Sequence, residues 1–526
     1  MKNKKIGFTL IELLAVIIVL AIIALIATPI IFNVIENAKI KSLENSCYGV
    51  IDAVRTKYAE GLLNSENGLV DLTGNVNELT VSGEKPIDGT WTIDNSKDSE
   101  QRGIKIDNVR FSSMKDYACS NDLETGKVSC KKTYKDNSSA NTPILFKNMV
   151  PIKYENNKWI IADLGQKWYD YDAKEWANAV VLNSGVTKNV GDEVTEEDVA
   201  LWYVWLPRYK YTIFNGNNGS ADAQLINVTF ESGVSRTGTV TCSDNADGSE
   251  TCSTITNGTS TYTHPAFKFG NTELTGFWVG KFEISTTDST CNSSASRANC
   301  NKVLTMTIKP NVSSWKYATI SNHFTSIQNA RTTYGISNAD SHMMKNMEWG
   351  AVAYLKQSKY GLGTTDIAVN TNSNFYTGGG QSDAYKTNVT QSTTGNIYGV
   401  YDMSGGAWER VMGNMKNSSN TFYSSNAGFT TAPDAKYYDS YKYDSSSNTT
   451  HARGKLGDAT KETLTTFGNT SGGWYSDYAF FPSSSLSWFV RGGGYTFGAN
   501  AGVFDFDYRT GRADGNGSAR AVLSAQ

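Results

Sequence analysis

A single acid, Glu12, stands inside the first turns of an otherwise uncharged apolar run, and no other feature of the 526 residues constrains the fold as much. The chain opens on Met1-Lys2-Asn3-Lys4-Lys5-Ile6-Gly7, a short basic leader. The apolar run starts at Phe8, and the 20 residues from Leu13 to Phe32 carry no charge. As a helix they span about 30 Å, the thickness of a bilayer's hydrocarbon core. The reading is a transmembrane helix with Lys2, Lys4 and Lys5 on the cytoplasmic side. A carboxylate inside such a helix costs about 2.5–3.5 kcal/mol on insertion scales, so Glu12 needs a partner. A plain secretory signal does not explain the pattern. Its apolar core is shorter, and a small-residue cleavage site follows it.

The segment Lys5-Ile6-Gly7-Phe8-Thr9-Leu10-Ile11-Glu12-Leu13-Leu14 resembles the N-terminal signature of type IV prepilins and pseudopilins. The resemblance implies that a prepilin peptidase cuts between Gly7 and Phe8 and that the new N-terminus is methylated. It also implies a partner for Glu12: the Phe8 amine of a neighbouring subunit, neutralised during assembly in a low-dielectric setting. Pro29 falls where many members of that family carry a helix-loosening proline, which removes one backbone hydrogen bond. The implied partners are other pilin subunits, the peptidase and the membrane. The implied location is the cytoplasmic membrane for the precursor, then an extracellular pilus or the cell surface. The alternative is an anchor that never polymerises.

Beyond the apolar run, Val34 to Ala59 is charged but still periodic, with Val34, Ile35, Ala38, Leu43, Val50, Ile51 and Val54 forming a stripe for a sheet or for other subunits. From about Leu69 to Lys132 the pattern shortens. Leu79-Thr80-Val81, Thr90 to Ile93 and Ile104 to Phe111 read as strands of a small antiparallel sheet. In order and size this resembles the globular part of a pilin. Lys131 to Thr142 is polar and reads as a linker. The division is a leader at 1–7, a pilin helix at 8–60 with a transmembrane half, a pilin-like β domain at 61–135, a linker at 136–147 and a large domain at 148–526.

Six of the seven cysteines form close pairs in sequence, Cys119/Cys130, Cys242/Cys252 and Cys291/Cys300. The middle pair brackets a turn-rich stretch between β-prone arms, which reads as a hairpin clamped at its neck. Local disulfides place the chain in an oxidising compartment. No pair has the C-x-x-C spacing of a zinc site. Cys47 is left over and reads as buried in helix packing, with an intermolecular bridge as the alternative. Lys and Arg total 48 against 51 Asp and Glu, so no broad charge attracts nucleic acid.

From about Asn148 the chain is rich in Trp and Tyr. Its segments Gly276-Phe277-Trp278-Val279-Gly280-Lys281-Phe282-Glu283, Tyr401-Asp402-Met403-Ser404-Gly405-Gly406-Ala407-Trp408-Glu409 and Arg491-Gly492-Gly493-Gly494-Tyr495 occur in an order that resembles the formylglycine-generating enzyme and sulfatase-modifying factor superfamily. That resemblance implies a variant of the C-type lectin fold with much irregular structure, and an α+β chain overall. Stretches near 214–262 and 415–470 read as long surface loops. The chemistry of those enzymes does not carry over. They use a late cysteine pair, and no cysteine follows Cys300. Iron-dependent relatives need clustered histidines, and His264, His323, His342 and His451 show no i, i+4 spacing.

Two sites follow from the resemblance. A calcium ion is implied at Asp402 and Glu409 with the carbonyls of Gly405 and Ala407, since carboxylates and carbonyls on a tight turn suit a hard cation. The other reading of that turn is structural. A ligand face is implied at Tyr495, Phe497, Asn500, Asp505, Asp507 and Arg509. In Val503 to Tyr508, alternation puts Phe504, Phe506 and Tyr508 on one face and Asp505 and Asp507 on the other. The expectation is a minor or specialised pilin, not an enzyme, that displays an adhesive domain for an extracellular glycan or protein. The alternatives are a pseudopilin of a competence or type II secretion system, and a surface enzyme of the formylglycine-generating superfamily.

Overall fold

Leu43, Cys47, Val50, Ile51 and Val54 recur at helical spacing, and burying that stripe is what fixes the first unit. In the computed structural model they lie on α1 (Leu10–Asn64). The structure describes residues 10–64, 72–93, 103–214, 222–291, 297–336, 338–445, 453–466 and 470–525. Within 10–33 it describes the side chains of Leu14, Val16, Ile18, Val19 and Ile31 alone. Gly7 and Phe8, the expected processing site, and the Glu12 side chain lie outside the described residues. Among the described residues no helix is long and apolar enough to cross a membrane.

Two units divide the chain, Met1–Lys132 and Thr133–Gln526. The first pairs α1 with a five-stranded antiparallel sheet in sequential order. Its strands are β1 (Thr73–Asn75), β2 (Pro86–Ile93), β3 (Ile104–Phe111), β4 (Tyr117–Asn121) and β5 (Val128–Lys132). Trp91, Ile106, Val109, Phe111 and Cys119 join the helical stripe in one buried cluster. The strand expected at Leu79 to Val81 is absent, and a 3-10 turn at Val76–Glu78 precedes it. Val34, Ile35 and Ala38, expected on the packed stripe, are exposed. The fully buried stripe of α1 therefore starts at Leu43, with Ile40 half-buried before it and Val34, Ile35 and Ala38 left exposed.

The second unit carries a seven-stranded antiparallel sheet ordered Ala339–Met343, Ala521–Ala525, Gly276–Gly280, Val199–Pro207, Asn178–Leu182, Met149–Glu155 and Lys158–Ile161. Val199–Pro207 is buried at every position. A strand covered on both faces reads as a continuous apolar run, not as an alternation. A second, mixed sheet is built on Trp408–Met415, which pairs with Asp439–Tyr441, Trp488–Arg491 and Gly517–Ala519; Phe506–Arg509 forms its edge beyond Trp488–Arg491. Helices Ile320–Thr333 and Asn346–Lys356 complete a mixed α+β unit.

Residues 136–147 are not a linker. Asn141 donates to the Gly233 and Thr275 carbonyls at 2.9 Å each, and Trp205 Nε1 donates to its carbonyl at 3.2 Å. Polar composition misled here because these side chains satisfy buried backbone groups instead of water. The stretches near 214–262 and 415–470 are also partly built in. Tyr209–Thr212, Val228–Phe230 and Thr261–Thr263 form a three-stranded sheet, and Asp458 and Thr463 are buried. Cys119–Cys130, Cys242–Cys252 and Cys291–Cys300 are disulfides, and Cys47 is a buried free thiol.

Candidate functional site

The Gly405–Ala407 turn begins from a buried lysine. Lys281 Nζ donates to Asn178 Oδ1 at 3.0 Å and to the carbonyls of Ile397 and Gly399 at 2.7 and 2.8 Å. Burial lowers its pKa, while three acceptors match the three donors of an ammonium. Those carbonyls fix the approach to Asp402, which adopts a left-handed φ of 62°. The Asp402 carboxylate accepts from Gly378 N–H at 2.8 Å and Asn370 Nδ2 at 3.0 Å. Gly405 and Gly406 follow with φ of 76° and 71°. A side chain at Gly406 would place Cβ 2.7 Å from Glu283 Oε1, so this position needs glycine twice over. Ala407 N–H donates to the same oxygen at 3.1 Å.

Glu409, next along the turn, is fully buried and held by Arg520 through both carboxylate oxygens. Arg520 also donates to the Gly280 and Tyr401 carbonyls at 2.7 and 2.9 Å. Burial lifts Asp402 to about 6 and Glu409 to about 7, against the pull of Arg520. Burial, then the charges of Asp402 and Glu409, pushes Glu283 well above the carboxylate range. The calcium set does not fit this arrangement. Arg520 occupies Glu409, backbone and amide donors occupy Asp402, and Glu283 Oε2 is the oxygen left without a partner. A hard cation of calcium's size wants six to eight oxygens, by rough count. Among the described residues, the groups of three potential ligand atoms within 4.8 Å are Cys47 with Cys119 and Cys130, and Cys242 and Cys252 with Glu250.

The histidines sit apart from this cluster. His264 meets the Gly457 carbonyl at 2.9 Å, and His342 bridges Asp340 and Glu348 at 3.1 and 2.9 Å. Burial lowers His264 and His323 to about 3, while Glu348 and Asp340 overcome burial and raise His342 to about 8. His451 lies outside the described residues.

The implied ligand face is partly assembled. Phe497 packs on Trp408 with centroids 5.3 Å apart and on Tyr478 at 4.7 Å. Tyr478 meets Phe480 at 5.7 Å, and Phe480 meets Tyr508 at 6.1 Å. All five rings are half-buried. The Arg509 guanidinium lies 3.8 Å over the Trp408 ring and pairs with Asp507 at 2.8 Å. Tyr495 belongs to an adjoining contact, 4.9 Å from Phe375. Asn500 donates to the Ser476 carbonyl at 2.8 Å.

Asp505 is not on this face. It is fully buried, and the strand begins only at Phe506, so the expected alternation fails there. Asp507 is buried too, its carboxyl raised chiefly by burial, against the pull of Arg509. Tyr478 and Phe480 escaped the sequence reading although a signal existed. In Tyr478-Ala479-Phe480-Phe481, Ala479 and Phe481 are fully buried and the alternate residues are not, the period of a strand with one wet face.

Residues 2–28 match the prokaryotic N-terminal methylation motif. The motif supports a pilin- or pseudopilin-like secreted subunit. It implies a membrane-anchored precursor, processing by a prepilin peptidase and assembly with other pilus subunits. No curated protein matches the chain. Among the solved structures that match, two align at 10% identity. The Major Tropism Determinant M1 Variant covers 85% of this chain and 82% of its own at a TM-score of 0.26. The Major Tropism Determinant U1 Variant covers 87% and 84% at 0.25. Superpositions at that level carry no argument about fold or function.

Proposed function

We propose that this chain is a minor or specialised type IV pilin whose second unit, a lectin-like module, displays a non-catalytic adhesive surface. The observation that carries the adhesive part is the half-buried row Trp408, Phe497, Tyr478, Phe480 and Tyr508 with Arg509 stacked on Trp408. Rings that are neither core nor fully wet offer flat apolar faces with polar edges, the chemistry that binds sugars and protein surfaces. A filament adds avidity by presenting such a surface away from the cell, in copies where several subunits carry it. Exposed Val34 and Ile35 on α1 support the pilin part, because they lie uncovered in the single subunit.

Two measurements test the two parts separately. A glycan and host-protein binding screen with full-length protein in detergent is expected to give hits that weaken about tenfold or more in Trp408→Ala, and likewise in Arg509→Ala. Hits indifferent to both changes would place binding elsewhere. Replacing Gly7 is expected to leave the precursor uncut and absent from sheared fibres, as read by immunoblot. Uncut chain inside fibres would remove the pilin reading.

A further inference from the structure

We propose that Cys47 is the third member of an exchangeable disulfide, its thiol placed to displace either Cys119 or Cys130 and so bond α1 covalently to the sheet. The Sγ atoms of Cys47, Cys119 and Cys130 all lie within 4.8 Å of one another. Cys47 and Cys119 are fully buried, and Cys130 nearly so. Cys119 and Cys130 face each other across β4 and β5, and Cys47 comes to them from the buried stripe of α1. Cys47 is the free cysteine of the chain. Its neighbour is the Cys119–Cys130 disulfide. The grouping is not a metal site while that bond exists, since two of its three sulfurs have no thiolate to give.

The step is redox-neutral. The Cys47 thiolate attacks Cys119 Sγ in line with the bond, a Cys47–Cys119 disulfide forms and Cys119–Cys130 breaks. Cys130 leaves with the electron pair and takes up the proton that Cys47 gave. Attack on Cys130 Sγ is the mirror case and frees Cys119. No outside oxidant is needed. Burial, and secondarily the negative charge of Glu44 on the preceding turn, pushes the Cys47 thiol up to about 12. The strands bring no further charge to bear on it. Thiolate is therefore scarce at neutral pH, which preserves the observed pairing, and its fraction grows about tenfold per pH unit below that value. The exchanged bond closes a far longer loop than the present one, whose cysteines are 11 residues apart.

The test uses full-length protein in detergent without reductant. Samples held at pH 7.5 to 10 are acid-quenched, alkylated and digested without reduction, and the disulfide peptides are mapped by mass spectrometry. Expected are Cys47–Cys119 and Cys47–Cys130 peptides, with the alkylated thiol moved to the displaced cysteine. Their rate of appearance rises about tenfold per pH unit and does not change with protein concentration. A thiol that stays on Cys47 at pH 10 overturns the proposal, and so does a rate that scales with concentration. As a second measurement, Cys130→Ser treated with oxidised glutathione is expected to form the Cys47–Cys119 bond. Separate glutathione adducts on the two cysteines count against it.

Discussion

Replacing Arg520 by methionine is expected to destabilise the second unit by about 3–5 kcal/mol at pH 8, the range for breaking one partner of a buried ion pair, and by clearly less at pH 5. Arg520 makes two bonds to Glu409 and one each to the Gly280 and Tyr401 carbonyls. Methionine fills similar volume without a charge, so packing changes little. What it removes is the cation facing three buried carboxylates, Glu283, Asp402 and Glu409. Lys316 acts on Glu283 from a distance but is not bonded to it. At pH 8 the variant must bury uncompensated negative charge or bind protons at a cost. At pH 5 those carboxyls, already displaced upward by burial, take protons readily. Calorimetric scans of both proteins at the two pH values decide the matter. An equal loss at both would show that Arg520 matters for packing alone.

That cluster also marks where the sequence stopped being legible. The N-terminal motif is contiguous, so its reading needs no fold. Cys119/Cys130 and Cys242/Cys252 are directly opposed residues of adjacent strands, a relation that short separation already implies. Asp402, Glu409 and the glycines between them stand on one turn, which is why the segment could be singled out. Their partners could not be. Glu283 lies just past the strand Gly276–Gly280 and Arg520 just before its pairing partner Ala521–Ala525, and Glu409 lies 111 residues from Arg520. Only the sheet's register brings them together, and it turns an expected cation site into an internal ion pair. The same limit explains Asp505. Alternation predicts sidedness once a strand's ends are known, and this strand starts at Phe506, three residues after Val503. The exposed Val34, Ile35 and Ala38 show the converse. Their helical period was real, but period alone does not say how far along a helix its covering sheet extends.

The intact protein carries the wider consequence of such burial: its second unit is expected to gain stability as pH falls from 8 to about 5, where many proteins are flat or losing it. Burial raises Asp402 and Asp439 to about 6 and Glu409 and Glu462 to about 7. Their ordinary values are 3.8 and 4.5. Between the two sets of values the folded state holds protons that the unfolded state has released. Stability then falls as pH rises through the folded values and recovers on acidification. Each such group contributes on the order of 1–3 kcal/mol across the range. His342, raised to about 8, acts in the same sense, because its folded form keeps a proton up to that pH. His264 and His323 act oppositely. Lowered to about 3, they stay neutral when folded, so acid below their ordinary 6.5 favours unfolding, by about 2 kcal/mol each at pH 5. Four carboxyls and one histidine outweigh two histidines, so the melting temperature of this unit is expected to climb several degrees between pH 8 and pH 5. Glu462→Gln should shrink that climb by removing one of the larger carboxyl contributions, which burial raises against the bonds that Tyr354 and Gly457 N–H donate to it. A melting temperature that stays level or drops over the same interval would mean these carboxyls are ionised and compensated in the folded protein, and the upward shifts assigned here to burial would fall with it.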